Sequence, residues 1–112
     1  MLKLRAGDRL RAIRELMGLT RDDFAEQLGL DFIRIQNIER KKAKVAELEY
    51  ERIGLRFPEF ISFLTHEGDI LVSELSTSSE KLCRLAAARI EAGIIPQGFY
   101  LEEKLKYPEQ PL

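Results

Sequence analysis

Nothing constrains the fold of this chain more than the stretch from Thr20 to Arg40, TRDDFAEQLGLDFIRIQNIER, whose spacing describes two short helices locked around one tight turn. Thr20 is a helix N-cap, and Asp22 and Asp23 place negative charge in the first turn, where the helix dipole favours it. Phe24 and Leu28 fall four apart, so they share one face, and that face is the one to bury. Ala25 is small enough for a second helix to cross closely. Gly29 ends the first helix, because glycine reaches positive φ with no Cβ penalty. Leu30 is apolar inside the turn, Asp31 caps the next helix, and Ile35 with Ile38 supplies its inward face.

A small residue, a glycine and two apolar residues at these intervals make the pattern of a helix-turn-helix. Residues 6–68 resemble the lambda-repressor-like family of phage repressors and Cro-type regulators. The resemblance rests on Leu19-Thr20, Phe24-Ala25-Glu26, Leu28-Gly29-Leu30, Ile35 and Ile38-Glu39. It implies an all-α fold: a five-helix DNA-binding domain over 1–68, followed here by a C-terminal helical extension over 69–112. It also implies that the second helix of the pair, over 32–41, lies in the major groove and reads base edges.

Charge is distributed to suit that role. The 112 residues carry a net charge of −1, which by itself argues mildly against nucleic acid. Residues 1–53, however, hold 12 Lys/Arg and 10 Asp/Glu, whereas residues 54–112 hold 6 and 9. From Arg34 to Lys44 five basic residues face one acid, Glu39, so positive charge gathers at the reading helix and the loop after it. No apolar run approaches a membrane span, and the charged N-terminus lacks a cleavable apolar stretch, so a cytoplasmic protein is expected. A lone Cys83 and a lone His66 offer no disulfide, no metal site and no cofactor; Cys83 reads as a small buried residue.

Along the chain, a first helix is expected over 6–17 with Leu10, Ile13 and Met17 inward, Arg9, Arg11 and Arg14 on other faces, and Gly18 as its stop. In the resembled family the arginine at the place of Arg14 pairs with the glutamate at the place of Glu39, so Arg14 is either a phosphate contact or a strut for the reading helix. Arg21 stands where that family places a glutamine that touches phosphate. With Ile35 and Ile38 buried, Phe32, Ile33, Gln36, Asn37 and Arg40 face outward as base readers, and Arg34 lies to one side. Gln36 and Asn37 suit adenine, and Arg34 or Arg40 suits guanine or phosphate. Phe32 and Ile33 replace the polar readers usual in the family. They suit either thymine methyl groups or a protein partner. Arg34, Lys41, Lys42 and Lys44, with Arg14 and Arg21, are the expected phosphate contacts. The family has a glycine near Lys41, so the turn there forms differently or the helix runs one residue longer.

Further on, a fourth helix is expected over 45–55 with Leu48 and Ile53 inward. Pro58 opens a fifth that carries Phe60, Phe63 and Leu64, and His66 lies at its C-terminal, negative end. Residues 69–75 read as a strand or a linking turn. Thr77 and Glu80 have capping-box spacing before a helix over 79–92. Its apolar surface, Leu82, Cys83, Leu85, Ala86, Ala87 and Ile90, either folds back on the domain or pairs with a second chain. Leu82, Leu85, Ala86 and Ile90 are the expected homodimer interface. A last short helix is expected around Phe99, Leu101 and Leu105, and Pro108 and Pro111 point to a loose end.

Two functions follow. One is a dimeric transcriptional regulator, a repressor of phage, mobile-element or antitoxin type, that binds an inverted-repeat operator in double-stranded DNA. The other is a protein-interaction module that uses Phe32 and Ile33. No constellation of residues supports an enzyme.

Overall fold

The computed structural model describes residues 4–97 and 100–107. Five helices build the N-terminal part in the expected order: α1 Ala6–Leu16, α2 Arg21–Leu28, α3 Phe32–Glu39, α4 Glu47–Arg56 and, after a 3-10 turn at Pro58–Phe60, α5 Ile61–His66. The local signals act as the sequence suggests. The Thr20 hydroxyl accepts from Asp23 N–H, the Asp31 carboxylate accepts from Ile33 N–H, and Gly29 takes φ +64 at the end of α2. α3 packs against α1 and α2, and α1 also meets α5. That approach is close at Gly7, where a Cβ would sit 3.1 Å from the Ile38 carbonyl oxygen.

Four phenylalanines, Phe24, Phe57, Phe60 and Phe63, are fully buried with Leu10, Ile13, Ile35, Ile38 and Ile53. Each such side chain contributes roughly 1.5–3 kcal/mol on burial, so this cluster fixes how the two helices of the turn sit on α1 and α5. Two expectations for these helices fail. Arg9 is buried rather than outward, donating Nε to the Leu64 carbonyl at 3.0 Å and Nη1 to that of Leu4. Leu48 is 45% exposed, and Glu49 takes the inward position beside Ile53.

Beyond Gly68 the same core continues. Residues Ile70–Leu71 form a short strand, β1, paired in parallel with β2, Leu105–Lys106. Between them lie a short helix α6, Val72–Ser76, and α7, Lys81–Glu91. The stretch read as a strand or a turn is thus both a strand and a helix. The expected capping box is absent: the Thr77 hydroxyl donates back to the Ser73 carbonyl at the end of α6, while Ser78 Oγ accepts from the N–H of Glu80, the N-cap of α7, which has no side-chain cap of its own. A 3-10 turn at Leu101–Glu103 stands where a last helix was expected. Phe99, Pro108 and Pro111 lie outside the described residues.

Of the two fates open to the C-terminal helix, it folds back. Ala86 and Ile90 are buried at 0% and 2% exposure with Cys83 and Ala87, and α7 packs on α6 and α1. Those two residues therefore cannot form the expected dimer contact. Leu82 is partly buried against the same core, and Leu85 is left half-exposed. The face is satisfied within its own chain, because burying it against α1 needs no second molecule.

Candidate nucleic-acid interface

The outer face of α3 is set by Ile35 and Ile38, whose burial turns Ile33, Gln36 and Asn37 away from the core. Ile33 is 53% exposed, and Gln36 and Asn37 are half-exposed. Among the described residues neither amide side chain is engaged in a hydrogen bond, so both keep their donors and acceptors for an outside partner. Phe32 departs from expectation: it is half-buried and packs on the core, so it forms a shoulder of the face rather than a reader. Arg40 is exposed at the C-cap.

The turn after α3 forms the way a glycine would form it, although the residue is a lysine. Lys41 takes φ +63. Lys42 N–H reaches the Asn37 carbonyl at 2.8 Å and Lys41 N–H the Ile38 carbonyl at 3.1 Å, which is a Schellman termination. The helix does not run longer; a side chain pays the left-handed penalty of roughly 1 kcal/mol. Lys41, Lys42 and Lys44 are all exposed, and neither they nor Arg40 form an ion pair among the described residues.

Arg34 does not belong to that free set. Its Nη2 donates to the Lys44 carbonyl at 2.6 Å and to Glu49 Oε1 at 2.8 Å. The same Glu49 oxygen accepts from Ala46 N–H at 2.8 Å and so caps α4. The hydrogen bond to this carboxylate holds the Arg34 guanidinium above its ordinary pKa. Glu49 thus clamps the basic loop between α3 and α4. Sequence reasoning missed it, although its place three residues into a helix after a basic run was a readable signal.

Glu39 anchors the other side. Its side chain is 1% exposed, yet Arg14 meets it twice at 2.7 Å, Arg21 Nε at 3.1 Å and Arg11 Nε at 3.8 Å. Arg14 also gives Nη1 to the Leu19 carbonyl at 2.8 Å, so its guanidinium is spent as a strut between α1, the turn and α3. Arg21 remains one-third exposed.

A sequence model described as Helix-turn-helix matches residues 10–52. That span is a lambda-repressor-like helix-turn-helix domain. No curated protein and no solved structure matches the chain. The match ends within α4, so α5 and everything after it is read from the structure alone. The helix-turn-helix domain places the chain among DNA-binding regulators. Within that span and the structure around it, Ile33, Gln36, Asn37, Arg40, Lys41, Lys42 and Lys44 form one continuous stretch of α3 and the loop after it.

No helix among the described residues is long and apolar enough to cross a membrane. The described residues also hold no group of three or more His, Cys, Asp or Glu placed to bind a metal ion.

Proposed function

We propose that this protein is a sequence-specific regulator of transcription, a cytoplasmic repressor of the phage, mobile-element or antitoxin kind, that binds an inverted repeat in double-stranded DNA as a homodimer. The observation that carries the reading is the pairing of two unengaged amides on α3 with four unpaired cations directly after it. Gln36 and Asn37 present the donor-and-acceptor pair that adenine matches in the major groove, and Ile33 offers apolar contact to a thymine methyl. Arg40, Lys41, Lys42 and Lys44, with the outer nitrogens of Arg21, grip phosphate and supply affinity without sequence information. Arg14 and Arg34 act behind the face, fixing α3 and the loop through Glu39 and Glu49.

The protein-partner reading is the weaker one. With Phe32 packed on the core, Ile33 stands alone, and single exposed apolar residues are ordinary on protein surfaces.

Salt titration of duplex binding tests the proposal. Lys42→Ala and Lys44→Ala should weaken binding to every sequence alike and each flatten the slope of log K against log salt by about 0.9. An unchanged slope in both variants would remove the phosphate role of this loop.

A further inference from the structure

We infer that Arg11 is a positioning residue for DNA binding: it balances Glu39 and so releases Arg21 to a backbone phosphate. The inference deepens the phosphate role given to Arg21 above and rests on it. Around the Glu39 carboxylate the charges do not match one for one. Arg11, Arg14 and Arg21 face two carboxylates, Glu15 and Glu39, so one guanidinium is in surplus. Burial and partners decide which one leaves. Arg14 is 11% exposed, makes two contacts of 2.7 Å with Glu39 and holds the Leu19 carbonyl, so it stays. Arg11 gives Nε to Glu15 at 2.9 Å, one turn further along α1, and stands 3.8 Å from Glu39 Oε1. Among the described residues Arg21 is tied by Nε alone, at 3.1 Å, and its side chain is one-third exposed at the first residue of α2.

A carboxylate oxygen has two lone pairs, and on Glu39 Oε1 Arg14 and Arg21 fill them. A phosphate that draws on the terminal nitrogens of Arg21 competes with Glu39 for the same charge. Glu39 is 1% exposed and cannot take water in exchange, so an Arg21 that left alone would strand a buried lone pair. Arg11 prevents that. It already lies within ion-pair distance of the same oxygen, and a guanidinium has five N–H donors, enough to keep Glu15 while giving another to Glu39. With Arg21 on the duplex, Arg11 and Arg14 balance Glu15 and Glu39, and α3 keeps its strut. Without Arg11, Arg21 is needed where it is, and any phosphate it takes is taken at the expense of a buried carboxylate.

A double-mutant cycle on the full chain tests this, with a random-sequence duplex of about 20 base pairs at low salt as the probe, since phosphate contacts are independent of sequence. Arg11→Gln should weaken binding roughly 3- to 10-fold, and Arg11→Lys should restore most of the loss. Arg21→Gln should weaken binding at least as much and flatten the salt slope by about 0.9. In the Arg21→Gln background Arg11→Gln should cost no further affinity, because nothing is left to release. A full additional loss in the double variant would make Arg11 a phosphate contact in its own right, and no loss in Arg11→Gln would leave it a surface partner of Glu15; either result overturns the inference. Thermal melts without DNA give a separate check. Each single variant should lower the midpoint slightly and the double variant by more than their sum, since Glu39 is then left with Arg14 alone. Additive melts would overturn the sharing of Glu39. A wild type that binds no duplex would overturn the phosphate role of Arg21 and the release with it, whereas the melts read the sharing alone.

Discussion

Glu39 keeps a carboxylate inside the protein because three guanidiniums surround it, and the residue is worth more to the fold than an exposed ion pair. Glu39→Ala should cost about 3–5 kcal/mol in chemical denaturation, since it strips the nearly buried Arg14 of its two short hydrogen bonds and leaves it the Leu19 carbonyl and Glu15, 3.6 Å away. Lys41 makes the opposite argument, since strain sits where function needs charge. Lys41→Gly relieves a left-handed side chain worth roughly 1 kcal/mol and adds glycine's chain entropy, so it should raise stability by at most about 0.5 kcal/mol while DNA affinity falls. Stability and affinity moving in opposite directions is the expected signature, read by thermal melts beside duplex titrations. Cys83 is buried as the sequence suggests, and its Sγ donates to Glu59 Oε2 at 2.9 Å. Burial and that carboxylate push the thiol up to about 12. From its ordinary value near 9.0 up to about 12, the folded state therefore holds a proton that the unfolded chain has lost, so stability falls as pH rises through that window. Denaturation midpoints across that window should fall less steeply in Cys83→Ala, and native Cys83 should resist iodoacetamide at neutral pH.

At the scale of elements, α1, α2 and α3 were legible because their signals are local: caps, a turn glycine and apolar residues three and four apart. α6 was not legible, since five residues are too few to show a period, and Thr77 serves the helix before it rather than the one after. Leu48 misled for a different reason. Apolar character marks a residue that gains from burial, but α4 gives its inner face to Glu49, which caps the helix and holds Arg34 at once. The face of α7 was recognised as apolar, yet periodicity names a face in need of cover without naming the cover. Because that cover is the chain itself, Ile90→Asp should not give a folded monomer. It buries a charge in the core and should cost more than about 3 kcal/mol, visible as a lost or lowered thermal transition.

Across the whole molecule one core runs through both halves of the chain, from Leu10 and Phe24 to Ile90 and Leu105, so the C-terminal elements brace α1 and the rim of the fold rather than hanging from it. The candidate reading surface is left facing outward with its amides and lysines unspent. The candidate interface was partly legible in sequence: the α3 positions follow from helical period, but the diversion of Arg34 to Glu49, and of Arg14 to a strut, depends on which carboxylates the fold buries beside them. Selection of bound duplexes from a random pool addresses the central claim most directly, because it demands affinity, sequence preference and symmetry together. The account predicts enrichment of an inverted repeat with half-sites about 10 base pairs apart, with an adenine preference that Asn37→Ala relaxes by about 1–3 kcal/mol. A pool that emerges unenriched at low salt, or an enriched site bound equally well by Asn37→Ala and Gln36→Ala, would contradict it.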